Sequence, residues 1–404
     1  MSRIFVAGVG AVSPAGWNVA ALRGALDQGE PLPTEPIARP GQGSTRRQSG
    51  LTFPCLPTEP IAHPVQEKPF PARPVPDPAT RPAFLAHPRL RRTSPITHYA
   101  AAAALEAVAG LRANQPGRRL NSPSPNPLPE ERAGSPRAEV RSLGLVVCLQ
   151  SGCVNYSCRF FDEMLKDPAT ASPLLFPETV FAAPASHLAT LLEDVSLAYT
   201  LVGDPASFLQ GVALGAQWLA ENRVDACLIV GSEETNWIIA DALWHLDRPA
   251  VIASGGGALC LCSDPEMSVG VELMAITDPQ TYSVRNSRWQ AAQAMRGQLG
   301  KSSPGELLCD GLGASPRTDA AELAAWRDWT GPRVSPKRIL GEGLMAAAAW
   351  QCVAACDAVA SRRFTAANVS LVGSNQQAIG ARFARADSSD SSFSVDGSSG
   401  NIQP

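Results

Sequence analysis

The central part of the sequence contains the segment Ser196-Leu-Ala-Tyr-Thr-Leu-Val-Gly-Asp-Pro-Ala-Ser-Phe-Leu-Gln-Gly211, which leads through an alanine-containing stretch to Leu228-Ile-Val-Gly-Ser-Glu-Glu234. The pattern predicts a strand at residues 195–199, a tight turn at Gly-Asp-Pro, a helix at 208–221 and a second strand at 226–230. A strand, a helix and a strand in this order are typical of a parallel or mixed sheet whose faces are covered by helices.

The same alternation of strands and helices extends toward both ends of the chain. Apolar runs predict further strands at residues 4–7, 143–148, 258–262, 270–276, 307–309 and 368–371. Helical periodicity predicts helices at residues 17–27, 98–111, 160–166, 185–192, 289–296, 320–329 and 343–360. With 404 residues, the chain is long enough for two or three ordinary domains, or for one large α/β unit built from two similar halves.

Two proline-rich segments and a polar tail depart from this pattern. Residues 31–88 contain Leu32-Pro-Thr-Glu-Pro-Ile-Ala38, which recurs as Leu56-Pro-Thr-Glu-Pro-Ile-Ala62, and we expect an extended or looped surface insert there. Residues 115–139 carry frequent prolines, which exclude a helix or a central strand, so we expect a second surface loop. The tail, residues 386–404, is rich in serine and aspartate, and we expect it to be disordered.

The composition argues against several functional classes. Hydrophobic residues make up 45% and charged residues 18% of the chain, and the formal net charge is -3, which does not provide the basic surface that nucleic-acid binding needs. The apolar runs are much shorter than the roughly 20 residues that cross a bilayer, so we expect neither a membrane span nor a signal peptide. The ten cysteines lack the spacing of zinc ligands or of a disulfide framework. We therefore expect reduced thiols, a cytoplasmic protein, and no metal or other cofactor.

Several segments, taken in order, resemble the β-ketoacyl synthase family of the thiolase superfamily. They are Val6-Ala-Gly-Val-Gly-Ala-Val-Ser-Pro-Ala-Gly16, Phe176-Pro-Glu-Thr-Val-Phe-Ala-Ala-Pro-Ala-Ser186, and the segment from Ser196 to Glu234. The resemblance extends over most of the chain apart from the two inserts and the tail. It implies a layered αβαβα fold made of two similar halves, residues 1–264 and residues 265–385.

The resemblance also implies where a catalytic nucleophile would lie. The family carries a cysteine at the tight turn before the central helix, where backbone N–H groups lower the thiol pKa and bind an oxyanion. Counting back from Glu234 places this position at Ala206, which carries no nucleophilic group. Ser207 is the hydroxyl next to that position, and it would need an adjacent base to act as a nucleophile.

Two histidines of the family are replaced as well. The resemblance places the first at Gly311, ahead of the retained Asp319 and Glu322, and the second at Glu342 in Lys337-Arg-Ile-Leu-Gly-Glu342. The family's histidines stabilise the enolate formed from a malonyl thioester, whereas glycine offers no side-chain donor and an ionised glutamate repels an enolate. We therefore expect neither condensation nor decarboxylation, and we predict a structural role for Lys337, paired with Glu322 or Glu342.

A further departure concerns the glycine-rich gate of the family. Here the corresponding segment is Ser370-Leu-Val-Gly-Ser-Asn375, in which bulkier residues replace the mobile glycines. We expect a fixed wall at this place instead of a gate.

The resemblance implies an inactive protein similar to a chain length factor, which pairs with an active ketosynthase in fatty acid or polyketide biosynthesis. A homodimer is the other assembly that the family implies, and an acyl-carrier protein is a further candidate partner. Two alternatives stay open. One is an acyltransferase or thioester hydrolase that uses Ser207, Cys153 or Cys309 together with Asp310 or Glu342. The other is a decaying copy of a ketosynthase.

Overall fold

A computed structural model describes residues 3–37, 69–113, 142–246, 251–283, 287–300, 303 and 305–386 of the chain. The predicted insert at residues 115–139 and the tail beyond residue 386 lie outside the described residues. The described strands are β1 (Phe5–Val12), β2 (Glu35–Ile37), β3 (Phe70–Arg73), β4 (Leu143–Leu149), β5 (Val195–Val202), β6 (Ala226–Glu233), β7 (Ile252–Ala253), β8 (Gly255–Cys262), β9 (Val271–Ile276), β10 (Gln280–Thr281), β11 (Leu307–Cys309), β12 (Arg333–Val334), β13 (Ala366–Val372) and β14 (Gln377–Arg385). The helices are α1 (Val19–Gln28), α2 (Pro95–Ala113), α3 (Val154–Lys166), α4 (Ala183–Leu192), α5 (Ser207–Ala220), α6 (Trp237–Leu246), α7 (Arg288–Gln298), α8 (Pro316–Ala325), α9 (Pro336–Leu340) and α10 (Met345–Ala360).

Most of the strands form one mixed sheet with the order β12-β11-β13-β14-β9-β1-β8-β6-β4-β5. Strands β4, β5 and β6 run parallel to one another, whereas β8 is antiparallel to both β6 and β1. Successive residues of the inner strands β4, β6 and β8 are buried on opposite faces, as period-two side-chain alternation requires. In β4, for example, Val146 and Cys148 pack with α5 and α10, and Leu145 and Val147 pack with α2 and α4.

The two parts of the sheet share one layer of helices. The C-terminal strands β11, β13 and β14 contribute to the same core as α5 and α10 on one face, and they pack against α7 and α8 on the other. The order of layers is therefore α2 and α4, the N-terminal strands, α5 and α10, the C-terminal strands, and α7 and α8. This confirms the predicted αβαβα architecture.

Helix α10 occupies the centre of this arrangement. Every residue from Met345 to Val359 is buried, and a helix that is apolar on all sides is expected in such a position. Its small alanine side chains allow close approach, since a Cβ added at Gly257 of β8 would lie 2.8 Å from the Cβ of Ala349. The helix therefore brings both parts of the sheet close to its N-terminal end.

The first insert has more structure than the sequence predicts. Strand β3 pairs antiparallel with β2 and parallel with β7, and Phe70 and Ala72 pack with α6 in a small separate core. Residues 70–73 are extended, as the sequence predicts, but they do not form a surface segment, because Phe70, Ala72 and Arg73 are buried. Residues 38–68 lie outside the part of the chain that the structure describes.

Candidate functional site

The predicted nucleophile position lies at the start of the buried helix α5. Ala206 is the N-cap residue of this helix, with helical backbone angles (φ -65°, ψ -21°), and its side chain is fully buried. The adjacent Phe208 is also fully buried. The methyl group of Ala206 has neither a proton to give nor an electron pair to donate, so this position provides no nucleophile.

Ser207 follows Ala206 and has a hydrogen-bond partner of its own. Its Oγ accepts a hydrogen bond from Nε2 of Gln377 at 3.2 Å, and the residue is only 5% exposed. An amide group cannot take the serine proton as a general base, so this contact does not activate the hydroxyl. The contact instead ties the first turn of α5 to the beginning of β14.

A buried carboxylate beside this position holds the turn between β13 and β14. Oδ2 of Asp204 accepts a hydrogen bond from the backbone N–H of Gln376 at 3.0 Å, and Oδ1 lies 3.4 Å from Nε2 of Gln377. Burial raises the pKa of Asp204, and the hydrogen bonds from Gln376, Gln377 and the backbone of Asn375 act in the opposite direction. Gly373 is needed at this turn because a Cβ there would lie 2.0 Å from Oδ2 of Asp204.

The first histidine position, Gly311, lies against the carboxylate of Glu322. The backbone N–H of Gly311 is 3.1 Å from Oε1 and 3.0 Å from Oε2 of Glu322. A Cβ added at Gly311 would be 3.1 Å from Oε2 of Glu322, so even a small side chain would require this carboxylate to shift. Burial raises the pKa of Glu322 to about 8, while hydrogen bonds from Ser370 and Gly311 and the charge of Lys337 act in the opposite direction.

The retained Asp319 supports the same turn from the first turn of α8. Both of its carboxylate oxygens lie 3.0 Å from the backbone N–H of Gly313, a glycine with a positive φ of 102°. Asp319 and Glu322 therefore hold the backbone of residues 311–313, and the roles they have here are structural.

The second histidine position holds a buried ion pair. Nζ of Lys337 donates to Oε2 of Glu342 at 2.7 Å, and both residues are buried. Oε1 of Glu342 accepts a hydrogen bond from the backbone N–H of Leu344 at 2.7 Å, and Leu344 adopts a positive φ of 51° just before α10. Glu342 thus neutralises Lys337 and stabilises an unusual backbone conformation at the helix start.

The three positions predicted from the family resemblance surround the N-terminal half of α10. Glu342 immediately precedes this helix, and Gly311 lies near Gln351, whose Oε1 would be 3.7 Å from a Cβ at Gly311. Helix α5 reaches the same region, since a Cβ at Gly231 would lie 2.7 Å from the backbone oxygen of Met345 and 2.9 Å from the ring of Phe208. The structure therefore brings together the elements that carry Ala206, Gly311 and Glu342.

The thiols considered for relocated chemistry are buried. Burial raises the pKa of Cys153, and the nearby Glu234 raises it further. Burial and the adjacent Asp310 likewise raise the pKa of Cys309 well above its usual range. A raised pKa disfavours the thiolate, which is the reactive form of cysteine. Burial therefore outweighs the features that would favour a thiolate, namely the position of Cys153 as the N-cap residue of α3 and the charge of Arg363 near Cys309.

Asp310 has partners that do not belong to a catalytic pair. Its Oδ1 accepts hydrogen bonds from Oγ of Ser335 at 2.6 Å and from the backbone N–H of Leu312 at 3.2 Å. Nε of Arg333 lies 3.2 Å from Oδ2. Asp310 therefore joins β11 to β12 and to the segment before α9.

The described parts of the chain contain neither a metal-binding cluster nor a membrane-spanning helix. Among these residues, no group of three or more histidine, cysteine, aspartate or glutamate side chains is placed to hold a metal ion. Within the same residues, no helix combines the length and the apolar character that a membrane crossing requires.

Comparisons with known proteins place the fold. No protein-family model and no curated protein sequence matches the chain. Among solved structures, the ishigamide ketosynthase/chain length factor matches with a TM-score of 0.68 and 16% identity, covering 95% of this chain and 100% of that one. A ketosynthase in complex with its chain length factor from Xenorhabdus doucetiae matches with a TM-score of 0.65 and 13% identity, covering 95% and 98%.

A third solved structure contains a type II polyketide synthase acyl-carrier protein in complex with its ketosynthase bound to the hexaketide. It matches with a TM-score of 0.66 and 13% identity, covering 95% of this chain and 99% of that one. At such low identities the likeness shows the fold alone. The chain has the thiolase-like fold of ketosynthases and chain length factors, as the sequence resemblance implies.

Proposed function

We propose that this chain is a non-catalytic, ketosynthase-like subunit that pairs with an active ketosynthase, in the manner of a chain length factor. The observation that carries the proposal is the Lys337–Glu342 ion pair, which fills the position of the second family histidine. A buried charge left without its partner is strongly destabilising, and here both charges are matched. The matched pair supports a folded subunit over a decaying copy.

The chemistry of the three vacated positions supports the proposal. Ala206 and Gly311 offer neither a nucleophile nor a side-chain hydrogen-bond donor. The carboxylate of Glu342 is already engaged by Lys337 and by the backbone N–H of Leu344, and its charge opposes the developing negative charge of an enolate. Neither attack on an acyl thioester nor decarboxylation of a malonyl group has a route through these residues.

An exposed edge of the sheet supports a partner of the same fold. Strand β5 is the last strand at one end of the described sheet, and Tyr199 and Val202 on it are 52% and 55% exposed. A long, apolar edge strand without a cover is a pairing site for another chain. Helix α3 and the segment 174–181 expose further apolar side chains, namely Phe161, Leu165, Leu174, Phe176, Val180 and Phe181. An exposed apolar surface of this kind marks a protein interaction site.

Co-expression tests the proposal. The partner to be tested would be a ketosynthase from a neighbouring gene that retains the catalytic cysteine and both histidines, and only that partner would carry an affinity tag. We expect the two chains to co-purify, and we expect the length of the acyl product to change when this chain is omitted and the carrier protein is supplied. If the two chains never co-purify and the product length stays the same, the proposal is wrong.

Intact-mass spectrometry separates this proposal from relocated chemistry. After incubation with acyl-CoA or acylated carrier protein, we expect no mass increase on this chain, whereas the ketosynthase in the same tube serves as the positive control and gains an acyl group. An acyl adduct on this chain would favour the acyltransferase or hydrolase alternative. A chain that stays insoluble both alone and with its partner would favour the decaying copy.

A further inference from the structure

The turn between β13 and β14 is held from the side of α5. Asp204 binds the backbone N–H of Gln376, and the side chain of Gln377 bonds to Oγ of Ser207 at 3.2 Å and to Oε1 of Gln210 at 3.3 Å. Gly373 lies against the carboxylate of Asp204 so closely that no side chain fits there. These contacts join the turn directly to the residues on either side of Ala206.

The same turn is also held from the side of α7. The hydroxyl of Tyr282 donates to the backbone oxygen of Gly373, and Nη2 of Arg288 donates to the backbone oxygen of Ser374 at 2.5 Å. The backbone N–H of Tyr282 donates to the oxygen of Gln376 at 2.9 Å. The turn is therefore attached at several backbone atoms to two different parts of the molecule.

Asp204 is the residue whose loss would free the turn on the α5 side. It is 3% exposed and lies two residues before Ala206. Burying an N–H group without a hydrogen-bond acceptor is unfavourable, whereas the same group can bond to water when the turn opens. Removal of this carboxylate therefore favours the open turn over the closed one. The other contacts on this side involve the single amide side chain of Gln377.

We propose that Asp204 is a clamp that holds the turn of residues 373–377 closed over the start of α5, so that this subunit does not admit an acyl chain to the Ala206 position. This inference rests on the proposed function and deepens it. The acyl chain would bind in the partner ketosynthase, whereas the closed turn in this subunit would block access of an acyl chain to Ala206. Asp204 is therefore a positioning residue, which acts through the turn and not by contact with a substrate.

The alkylation rate of a cysteine introduced at position 206 measures how readily a reagent passes the turn of residues 373–377. The Ala206→Cys variant is treated with iodoacetamide under native conditions, and alkylation at residue 206 is followed by peptide mass spectrometry, which separates it from the chain's own cysteines. We expect very slow alkylation in this variant. We expect at least about a tenfold faster reaction when Asp204→Ala is added, because the turn then opens more often. Asp204→Asn retains one acceptor oxygen and should give a smaller gain.

Glu106 provides a matched control. Its carboxylate accepts hydrogen bonds from the backbone N–H groups of Ala11 at 2.9 Å and Val19 at 3.0 Å, so it caps backbone groups much as Asp204 does, but at the turn between β1 and α1. Glu106→Ala should leave the alkylation rate at residue 206 unchanged. Circular dichroism checks that each variant is folded. If Asp204→Ala does not fold, Gln377→Ala gives a second measurement, because it removes the other side chain that joins this turn to α5.

Two outcomes would overturn the clamp. One is fast alkylation in the Ala206→Cys variant alone, at the rate of the unfolded chain. The other is a folded Asp204→Ala variant that reacts no faster than the Glu106→Ala control. Co-purification with the ketosynthase is measured on the same variants. A chain that shows the closure but never binds the ketosynthase would refute the proposed function and leave the clamp intact.

Discussion

Lys337 and Glu342 are both buried, and the attraction between their charges compensates for the loss of hydration of each side chain. We expect Lys337→Met to lower the free energy of unfolding by about 3–5 kcal/mol, because it leaves the carboxylate of Glu342 buried and uncompensated. Adding Glu342→Gln should recover much of this loss, since the neutral amide oxygen still accepts from the backbone N–H of Leu344. Urea unfolding followed by circular dichroism gives the values.

Lys166 is a suitable control for this pair. It lies exposed at the end of α3, and Lys166→Met should change the stability by no more than about 0.5 kcal/mol. The interpretation of Lys337 as a structural residue is wrong if Lys337→Met is as mild as this control.

At the level of single side chains, the sequence predicts some contacts and misses others. The sequence predicts Glu322 or Glu342 as the partner of Lys337. Glu342 ends the same short motif, whereas Glu322 lies farther away along the chain, and the structure pairs Lys337 with Glu342. The role of Asp204 could not be predicted, because its partner Gln376 is 172 positions away in the sequence. This contact depends on the position of the β13–β14 turn in the folded sheet. A local sequence pattern does not predict that position.

Strand β5 carries a prediction about assembly. We expect the double substitution Tyr199→Lys and Val202→Lys to abolish co-purification with the ketosynthase, because paired lysines on an edge strand oppose edge-to-edge pairing. The melting temperature of the chain alone should stay nearly the same, since both side chains are more than half exposed. Affinity purification with the tagged ketosynthase provides the measurement.

Met274 supplies the comparison for β5. It is an exposed apolar residue (44%) on β9, away from the sheet edge, and Met274→Lys should leave co-purification intact. Equal losses from both sets of lysines would mean that β5 is not the contact surface.

Helices and strands differ in how well the sequence predicts them. The buried helix α10 lies within the predicted range because its apolar run is long and uninterrupted. Helix α8 begins at Pro316, four residues before the predicted start, because Ser315 caps it: Oγ of Ser315 accepts from the N–H of Thr318 at 3.3 Å. Strand β14 was missed because it contains arginines, one of which, Arg382, is neutralised by Glu306 at 2.5 Å. Helix α6 was missed as well.

Buried carboxyl groups make the stability of the protein depend on pH. Burial raises the pKa of both Glu233 and Glu322 to about 8, from an ordinary value of 4.5. The folded chain therefore holds these protons more tightly than the unfolded chain does. Their contribution to stability is fully present below about pH 4.5 and is lost as the pH rises through about 8.

We therefore expect the protein to be less stable at pH 9 than at pH 6, with Glu233 alone contributing about 3 kcal/mol of the difference. Glu233→Gln should reduce this difference, because the neutral amide has no proton to lose. Urea unfolding at the two pH values measures the effect, and Glu30→Gln at an exposed position is the control. An unchanged pH dependence in Glu233→Gln would contradict the expectation.

The layered architecture could be predicted because it follows from the alternation of strands and helices along most of the chain. The small sheet of β2, β3 and β7 could not, because its short strands contain prolines and pair across a long interval of sequence. Pro36 and Pro71 are directly opposite each other in the β2–β3 ladder. Proline is tolerated at Pro36 because β2 is an edge strand. Pro71 lies in the middle strand β3, but it precedes Ala72 and Arg73, the two residues that pair with β7.

The repeated Leu-Pro-Thr-Glu-Pro-Ile-Ala motif has a consequence for the history of the gene. Strand β2 (Glu35–Ile37) lies inside the first copy, and the backbone oxygen of Leu32 in the same copy accepts from Arg73. Unequal recombination between the two copies would delete residues 32–55. The second copy, residues 56–62, would then directly follow Pro31, where the first copy lies now. Since the entropy of loop closure changes slowly with loop length, the shortened chain would present the same residues to β3. The insert can thus gain or lose sequence by recombination without altering the strand that joins it to the core.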